Sequence, residues 1–310
     1  MKKFLQKIAL FLLILLMFFI VGILLPVTPR ASTSMLFAEI QKDSLLANVP
    51  APRLILIGGS SISVSINSKH IKDSLGLYPI NTGVHAATGL VFMLDHTIKF
   101  IRKGDVVVIV PEYDQLFGNF AYGAQELLRT ILDVKIDNVF DLRMQQLRNI
   151  APFLPQYALS KFRPSEYIES HDNMIYLRNA FNKFGDCNIR DEQHPPNTLV
   201  FFPLPDAFNN DIIKELKVFE TKANERGAKV ILSFPAFQDE SYDNFADNIE
   251  QVEQAYRNNG FKVIGDPAAY KFPNSLIYDT PYHLKTKGVE IRTQMLIKQL
   301  INEAHLKRAQ

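Results

Sequence analysis

Ser60 and Ser61 stand where an apolar run, Leu54-Ile55-Leu56-Ile57, breaks on Gly58-Gly59. A carboxylate and an imidazole, Asp279 and His283, stand together near the other end of the chain. These residue types can do acyl-transfer chemistry. A serine hydroxyl becomes a nucleophile when an imidazole within hydrogen-bond reach takes its proton and a carboxylate holds that imidazole in the right tautomer. Each piece alone has a plainer use: Gly-Gly-Ser as a loop, Asp279 before Thr280-Pro281 as a turn former, His283 as a cap on the following helix. Their joint presence points to a nucleophile and its base.

A nucleophile needs a rigid mount. Four consecutive aliphatic residues predict a buried strand of a parallel sheet over 54–57, and the two glycines permit a sharp turn at its carboxyl end, where open α/β sheets bind ligands. The pattern predicts further strands over 78–81, 106–110, 229–234 and 261–264. Helices are predicted over 36–47, 68–75, 90–102, 209–226, 244–259 and 286–306. The alternation implies an α/β fold, a three-layer α/β/α sandwich around a mostly parallel, flavodoxin-like sheet. Between Asp114 and Pro205 the alternation breaks into a helical stretch over 124–154 and a polar, proline-bearing segment, an insertion at about 115–205. Its aromatics, Phe117, Phe120, Tyr122, Phe201 and Phe202, suit packing first and a substrate groove second, and His171 and His194 lack metal-ligand spacing.

The ordered blocks resemble those of the SGNH/GDSL hydrolases over roughly residues 51–115 and 228–300. Ile57-Gly58-Gly59-Ser60-Ser61 is similar to the family's serine block. The resemblance implies Ser60 as nucleophile, or Ser61 under a one-residue shift, with Gly59 and the second serine beside it. Asn81-Thr82-Gly83-Val84-His85-Ala86 resembles the glycine block, implying a backbone oxyanion donor at Ala86, or at Gly83 in a shifted alignment. His85 then lies next to the serine, as a packing residue or a substrate contact. Asp279 and His283 resemble the closing acid–base pair.

The chain departs from the family at two blocks. Tyr113, in Val110-Pro111-Glu112-Tyr113-Asp114, stands where the family has its oxyanion-hole asparagine. Loss of one such donor typically costs about two to three powers of ten in rate, unless the Tyr113 hydroxyl replaces it. Glu112 and Asp114 flank it and either contact a polar substrate or serve as cap and ion-pair partners. Three residues separate Asp279 from His283 where the family usually has two.

The N-terminus sets the compartment. Lys2, Lys3 and Lys7 precede an uncharged apolar run from Ile8 to Leu25, long enough to cross a hydrocarbon core. No persuasive small-x-small cleavage site follows, which favours a retained anchor over a removed signal peptide. The expected organisation is an anchor over 1–28, a juxtamembrane connection over 29–52 and an α/β domain over 53–310, with a cytoplasmic N-terminus and the domain periplasmic or extracellular. With 310 residues, 47% of them hydrophobic and 21% charged, the chain can bury a large core. Its single cysteine, Cys187, cannot form an intramolecular disulfide, no Cys cluster holds zinc, and a net charge of +2 gives no reason to expect nucleic acid. Phosphate loops and dinucleotide fingerprints are missing, so no cofactor or metal is expected.

The resemblance thus implies an anchored SGNH-like serine esterase acting on acyl esters of a cell-envelope molecule, such as an O-acetyl polysaccharide. Two alternatives stand beside it: an O-acyltransferase working with a multi-span membrane acyltransferase, and a non-catalytic envelope protein that binds a glycan or an assembly partner.

Overall fold

Arg53–Gly58 is buried along its whole length, which explains why its sequence shows no polar alternation. The computed structural model describes residues 1–168, 176–188, 204 and 207–308. In chain order the main elements are α1 (Lys2–Leu24), α2 (Ala38–Asn48), β1 (Arg53–Gly58), α3 (Ser60–Ser65), α4 (Ser68–Leu75), β2 (Tyr78–Asn81), α5 (Leu90–Thr97), β3 (Val106–Val110), α6 (Leu154–Ser160), α7 (Asn210–Glu225), β4 (Lys229–Leu232), β5 (Phe237–Gln238), α8 (Ala246–Asn258), β6 (Lys271–Phe272) and α9 (Thr286–Asn302), with short helical turns between them. The fold is α/β, with one apolar helix at the N-terminus.

Four strands pair in parallel in the order β2-β1-β3-β4, with Ile55 opposite both Ile80 and Val107, and Val107 opposite Val230. Alternate side chains of each strand enter two separate cores. Ile55, Ile57, Val107 and Ile109 pack with Leu90 and Leu94 of α5 and Ile212 and Leu216 of α7. Leu54, Leu56, Val106 and Val108 pack with Ile71 and Leu75 of α4 and Leu296 and Leu300 of α9. Burying each such aliphatic side chain contributes about 1.5–3 kcal/mol, so both faces of the sheet are held firmly under the site. At the opposite end of β1 from the glycines, Arg53 pairs with Asp105 at 2.6 Å, both side chains fully buried. The same guanidinium donates to Phe100 O at 2.7 Å, joining the starts of β1 and β3 to the chain after α5.

Several predicted elements take a different form. The 261–264 strand is reduced to one parallel bridge, Val263 with Leu232, because β4 ends there instead of continuing to Phe234. Pro235 follows closely and has no N–H to give a ladder. The 244–259 helix is broken at Phe245, whose backbone (φ −120°, ψ 23°) is not helical, into Asp239–Asn244 and α8. The 90–102 helix stops at Thr97 and tightens into a 3-10 turn over Ile98–Phe100. The 124–154 stretch is a chain of short pieces, Gln125–Arg129, a π-turn over Thr130–Val134, a 3-10 turn over Ile136–Asp141 and a helix over Met144–Ile150. The small parallel sheet of β5 and β6 was not expected. Phe201, Phe202, His171 and His194 lie outside the described residues.

α1 is long and apolar enough to span a membrane, with a window of mean hydropathy 3.4 that is only 6% buried. Of its residues only Gly22 is buried, against the protein body.

Candidate active site

β1 delivers the chain to Gly59, and Ser60 opens α3 directly behind it. Three loops meet at this turn, which is why glycines occupy it. A Cβ on Gly59 would lie 2.5 Å from Glu112 Oε1 and 2.8 Å from Ala86 Cα, and a Cβ on Gly83 would lie 2.4 Å from Gly59 O. Gly83 is therefore a packing residue of the turn. Ala86, with its neighbours His85 and Ala87, lines the cavity beside Ser60, and Gly83 does not. Among the described residues no hydrogen-bond acceptor is found for the backbone N–H groups of Ser60 and Ala86.

His283 Nε2 lies 2.9 Å from Ser60 Oγ, and its Nδ1 lies 2.6 Å from Asp279 Oδ1. With Asp279 ionised, Nδ1–H donates to the carboxylate and Nε2 is left to accept the Ser60 proton. The extra residue between acid and base is absorbed by a tight loop: His283 N donates to Thr280 O at 3.1 Å and Tyr278 N to His283 O at 2.9 Å. Burial alone would raise the Asp279 pKa. The hydrogen bond and charge of His283, joined by Tyr176 and a backbone N–H, outweigh it and hold the carboxyl below the usual carboxylate range.

Tyr176 comes from the insertion, and sequence reasoning missed it. Its hydroxyl donates to Asp279 Oδ2 and lies 2.9 Å from His283 Nδ1, so both carboxylate oxygens are engaged. Burial first, and the Asp279 charge second, push its pKa upward and keep it a hydrogen-bond donor. Ser65, at the far end of α3, was also missed. Its Oγ donates to Tyr282 O at 2.9 Å and accepts from Leu284 N at 3.2 Å, so it grips the chain on both sides of His283. The serine helix and the histidine loop are thereby one unit.

Ser61 has its Oγ buried, with no partner among the described residues. Its backbone N–H donates to Glu112 Oε1 at 2.8 Å, and Ser60 Oγ lies 3.3 Å from the same oxygen. The third-block residue that reaches the serine is therefore Glu112. Tyr113 does not meet the expectation of an oxyanion donor. It is 1% exposed, its hydroxyl is buried with no partner among the described residues, and its ring packs edge-on against Phe237. β3 ends at Val110 and Glu112 caps the 3-10 turn Tyr113–Leu116, so Glu112 stays at the serine while the turn carries the Tyr113 ring into the core. Gln115 holds Glu112 in place, accepting from its backbone N–H at 3.1 Å and donating to Ala86 O at 2.9 Å. Asp114 lies at the cavity wall, and burial, followed by the charge of Glu112, pushes its pKa well above the carboxylate range.

A cavity of about 670 Å³ opens over Ser60, walled by Met35, His85, Phe120, Phe153 and Tyr176. That volume suits a small-molecule group with apolar parts. His85 accepts the Ala87 N–H on Nδ1 at 3.1 Å, and Thr280 joins the rim. Tyr122 is buried in the core and Phe117 packs edge-on against Phe208, so of the three described aromatics the sequence singled out, Phe120 lines the cavity, beside Phe153 and Tyr176 of the same insertion. Among the described residues one group has metal-ligand proximity, Glu39, Asp43 and His96. Lys135 Nζ already fills it, within 3.0 Å of all three. Cys187 is buried and burial pushes its thiol up to about 11, which leaves it unreactive near neutrality. Comparison with protein-family models and with curated proteins finds no match.

Proposed function

We propose that this chain is a membrane-anchored, SGNH-like serine esterase that acts on acyl esters of a cell-envelope molecule. The observation that carries the reading is the continuous relay from Ser60 through His283 to Asp279, at 2.9 and 2.6 Å, under a cavity with apolar walls. The strand order β2-β1-β3-β4, with both faces of the strands covered, supports a flavodoxin-like three-layer sandwich of the kind that family uses. The lysines at the head of α1 support a cytoplasmic N-terminus with the domain on the periplasmic or extracellular side.

In the proposed reaction Ser60 Oγ attacks the ester carbonyl carbon while His283 Nε2 takes its proton. The tetrahedral oxyanion is met by the N–H groups of Ser60 and Ala86. As the C–O bond breaks, the imidazolium returns its proton to the leaving alcohol, and Asp279 stabilises the charged ring throughout. Water then attacks the acyl-serine with His283 as base, releasing the acid and restoring Ser60. If a sugar hydroxyl replaces water, the same steps make an O-acyltransferase.

The test is turnover of p-nitrophenyl acetate by the purified full chain beside the variants S60A, S61A and H283A. The reading predicts that S60A and H283A abolish turnover and that S61A retains it. Equal rates in all four folded proteins would contradict it.

A further inference from the structure

The segment 154–168 is stitched to the anchor along its whole length. α1 meets α6 so closely that a Cβ on Gly22 would lie 2.6 Å from Ala158 O, and the Phe18 ring stacks on Phe162 with centroids 4.2 Å apart. Beyond the helix, Thr28 Oγ1 donates to Glu166 Oε2 at 2.8 Å and Lys161 Nζ to Pro26 O at 3.4 Å. Phe18 precedes the end of α1 at Leu24 by six residues, roughly 9 Å at 1.5 Å per residue. A helix that spans the bilayer therefore carries Phe162 below the plane at which the chain leaves the hydrocarbon.

The outward surface of this segment is built for such a place. Leu159 is 43% exposed, Phe162 40%, Tyr167 51% and Ile168 65%. Gln156 is exposed near the start of α6, whereas the other polar side chains of the helix turn the other way. Tyr157 OH donates to Asp133 Oδ1 at 2.7 Å, Ser160 Oγ donates to Tyr157 O at 2.7 Å, and Lys161 pairs with Asp133 at 2.8 Å with both side chains almost fully buried. Helical backbone with satisfied polar groups is what an apolar medium tolerates. Arg163 is exposed beside Phe162, and its long stem lets the guanidinium reach the headgroup layer.

We propose that Leu159, Phe162, Tyr167 and Ile168 form a second membrane contact, sunk into the phospholipid leaflet on the body's side of the bilayer. The inference rests on α1 spanning that bilayer, and its ground is the continuity of this surface with the anchor. The contact fixes the height of the site. Phe153, the residue before α6, and Met35, three residues beyond the turn at Pro29–Ser32, both line the cavity over Ser60. The cavity is thus held next to the membrane surface, where it meets acyl esters presented at the bilayer.

The chain contains no tryptophan, so single-tryptophan reporters are clean. F162W and Y167W, with F11W as the anchor reporter and I291W on α9 as the solvent reference, are reconstituted as full chains into phosphatidylcholine vesicles with or without acyl-chain bromine. The expected result is strong bromine quenching of F11W and F162W, weaker but clear quenching of Y167W, and none of I291W. Quenching of F11W with F162W and Y167W indistinguishable from I291W overturns the second contact and leaves the anchor standing. Loss of quenching at F11W as well overturns both.

Discussion

Tyr176 closes the outer end of the hydrogen-bond chain that runs from Ser60 through His283 to Asp279. Its hydroxyl satisfies the Asp279 oxygen that His283 does not use. A hydrogen bond to a charged group contributes about 1.5–3 kcal/mol, so Y176F is expected to lower kcat by about 10-fold or more with little change in KM, measured by steady-state ester hydrolysis. Glu112 acts in the opposite sense. A carboxylate 3.3 Å from Ser60 Oγ opposes the negative charge that develops on the substrate oxygen, so E112Q is expected to raise kcat. A fall in kcat would instead assign the carboxylate a role as base toward Ser60. Asp279 supplies a pH signature. Its native pKa lies below the ordinary value of about 3.9, so its contribution to stability is complete above that value and is lost as pH falls through the lowered one. The stability gap between wild type and D279N, read by urea unfolding, should be flat from about pH 5 upward and close in acid. Ser60, His283 and Asp279 are legible in the sequence because each sits at a chain break that a hydrophobic pattern frames. Tyr176 is not, since its partners are distant in sequence and no spacing marks it.

Ser65 belongs to the element scale, because its one hydroxyl fastens α3 to the loop on both sides of His283. S65A leaves a backbone N–H and a carbonyl without their partner. The expected outcome is about 1–3 kcal/mol lower stability in urea and a lower kcat at unchanged KM, since the substrate cavity is untouched. An unchanged kcat would show that Tyr278 and Thr280 hold the loop unaided. The strands were legible where aliphatic runs are buried on both faces, at 54–57 and 106–110. The 261–264 strand was not, because pairing depends on where β4 ends, a property of another part of the chain. The assignment of Tyr113 to the serine failed for a similar reason. Which of two adjacent residues faces the site depends on the exit of β3, and Glu112, one place earlier, is the one that reaches it.

At the scale of the whole molecule, Lys42 connects three regions. It is 1% exposed, and its Nζ donates from α2 to Asn81 O at the end of β2, at 2.8 Å, and to Gly185 O at 2.6 Å. Burial lowers its pKa to about 8 despite the charges of Glu39 and Asp186. An unfolded lysine titrates near 10.4, so between about pH 8 and 10.4 the unfolded chain holds a proton that the native protein has lost, and stability rises with pH across that window. Cys187, pushed up to about 11, works against this over an overlapping range. The difference between wild type and K42M isolates the lysine: wild type should gain on K42M from pH 8 to 10 in urea titrations, and a constant gap would contradict the account. The large-scale plan, an apolar leader and one α/β body, is legible because it depends only on composition and run length. The docking of α1 on α6 is not, since it joins two segments that share no pattern.

The central claim is that Ser60 is an activated nucleophile, and covalent trapping reads this without assuming a substrate or an acceptor. The full chain is incubated with a fluorophosphonate probe, digested and sequenced by mass spectrometry, beside S60A and H283A. The account predicts one adduct, on Ser60, absent in S60A and strongly slowed in H283A. An adduct on Ser61, or no adduct in a folded protein whose cavity is open, would contradict it.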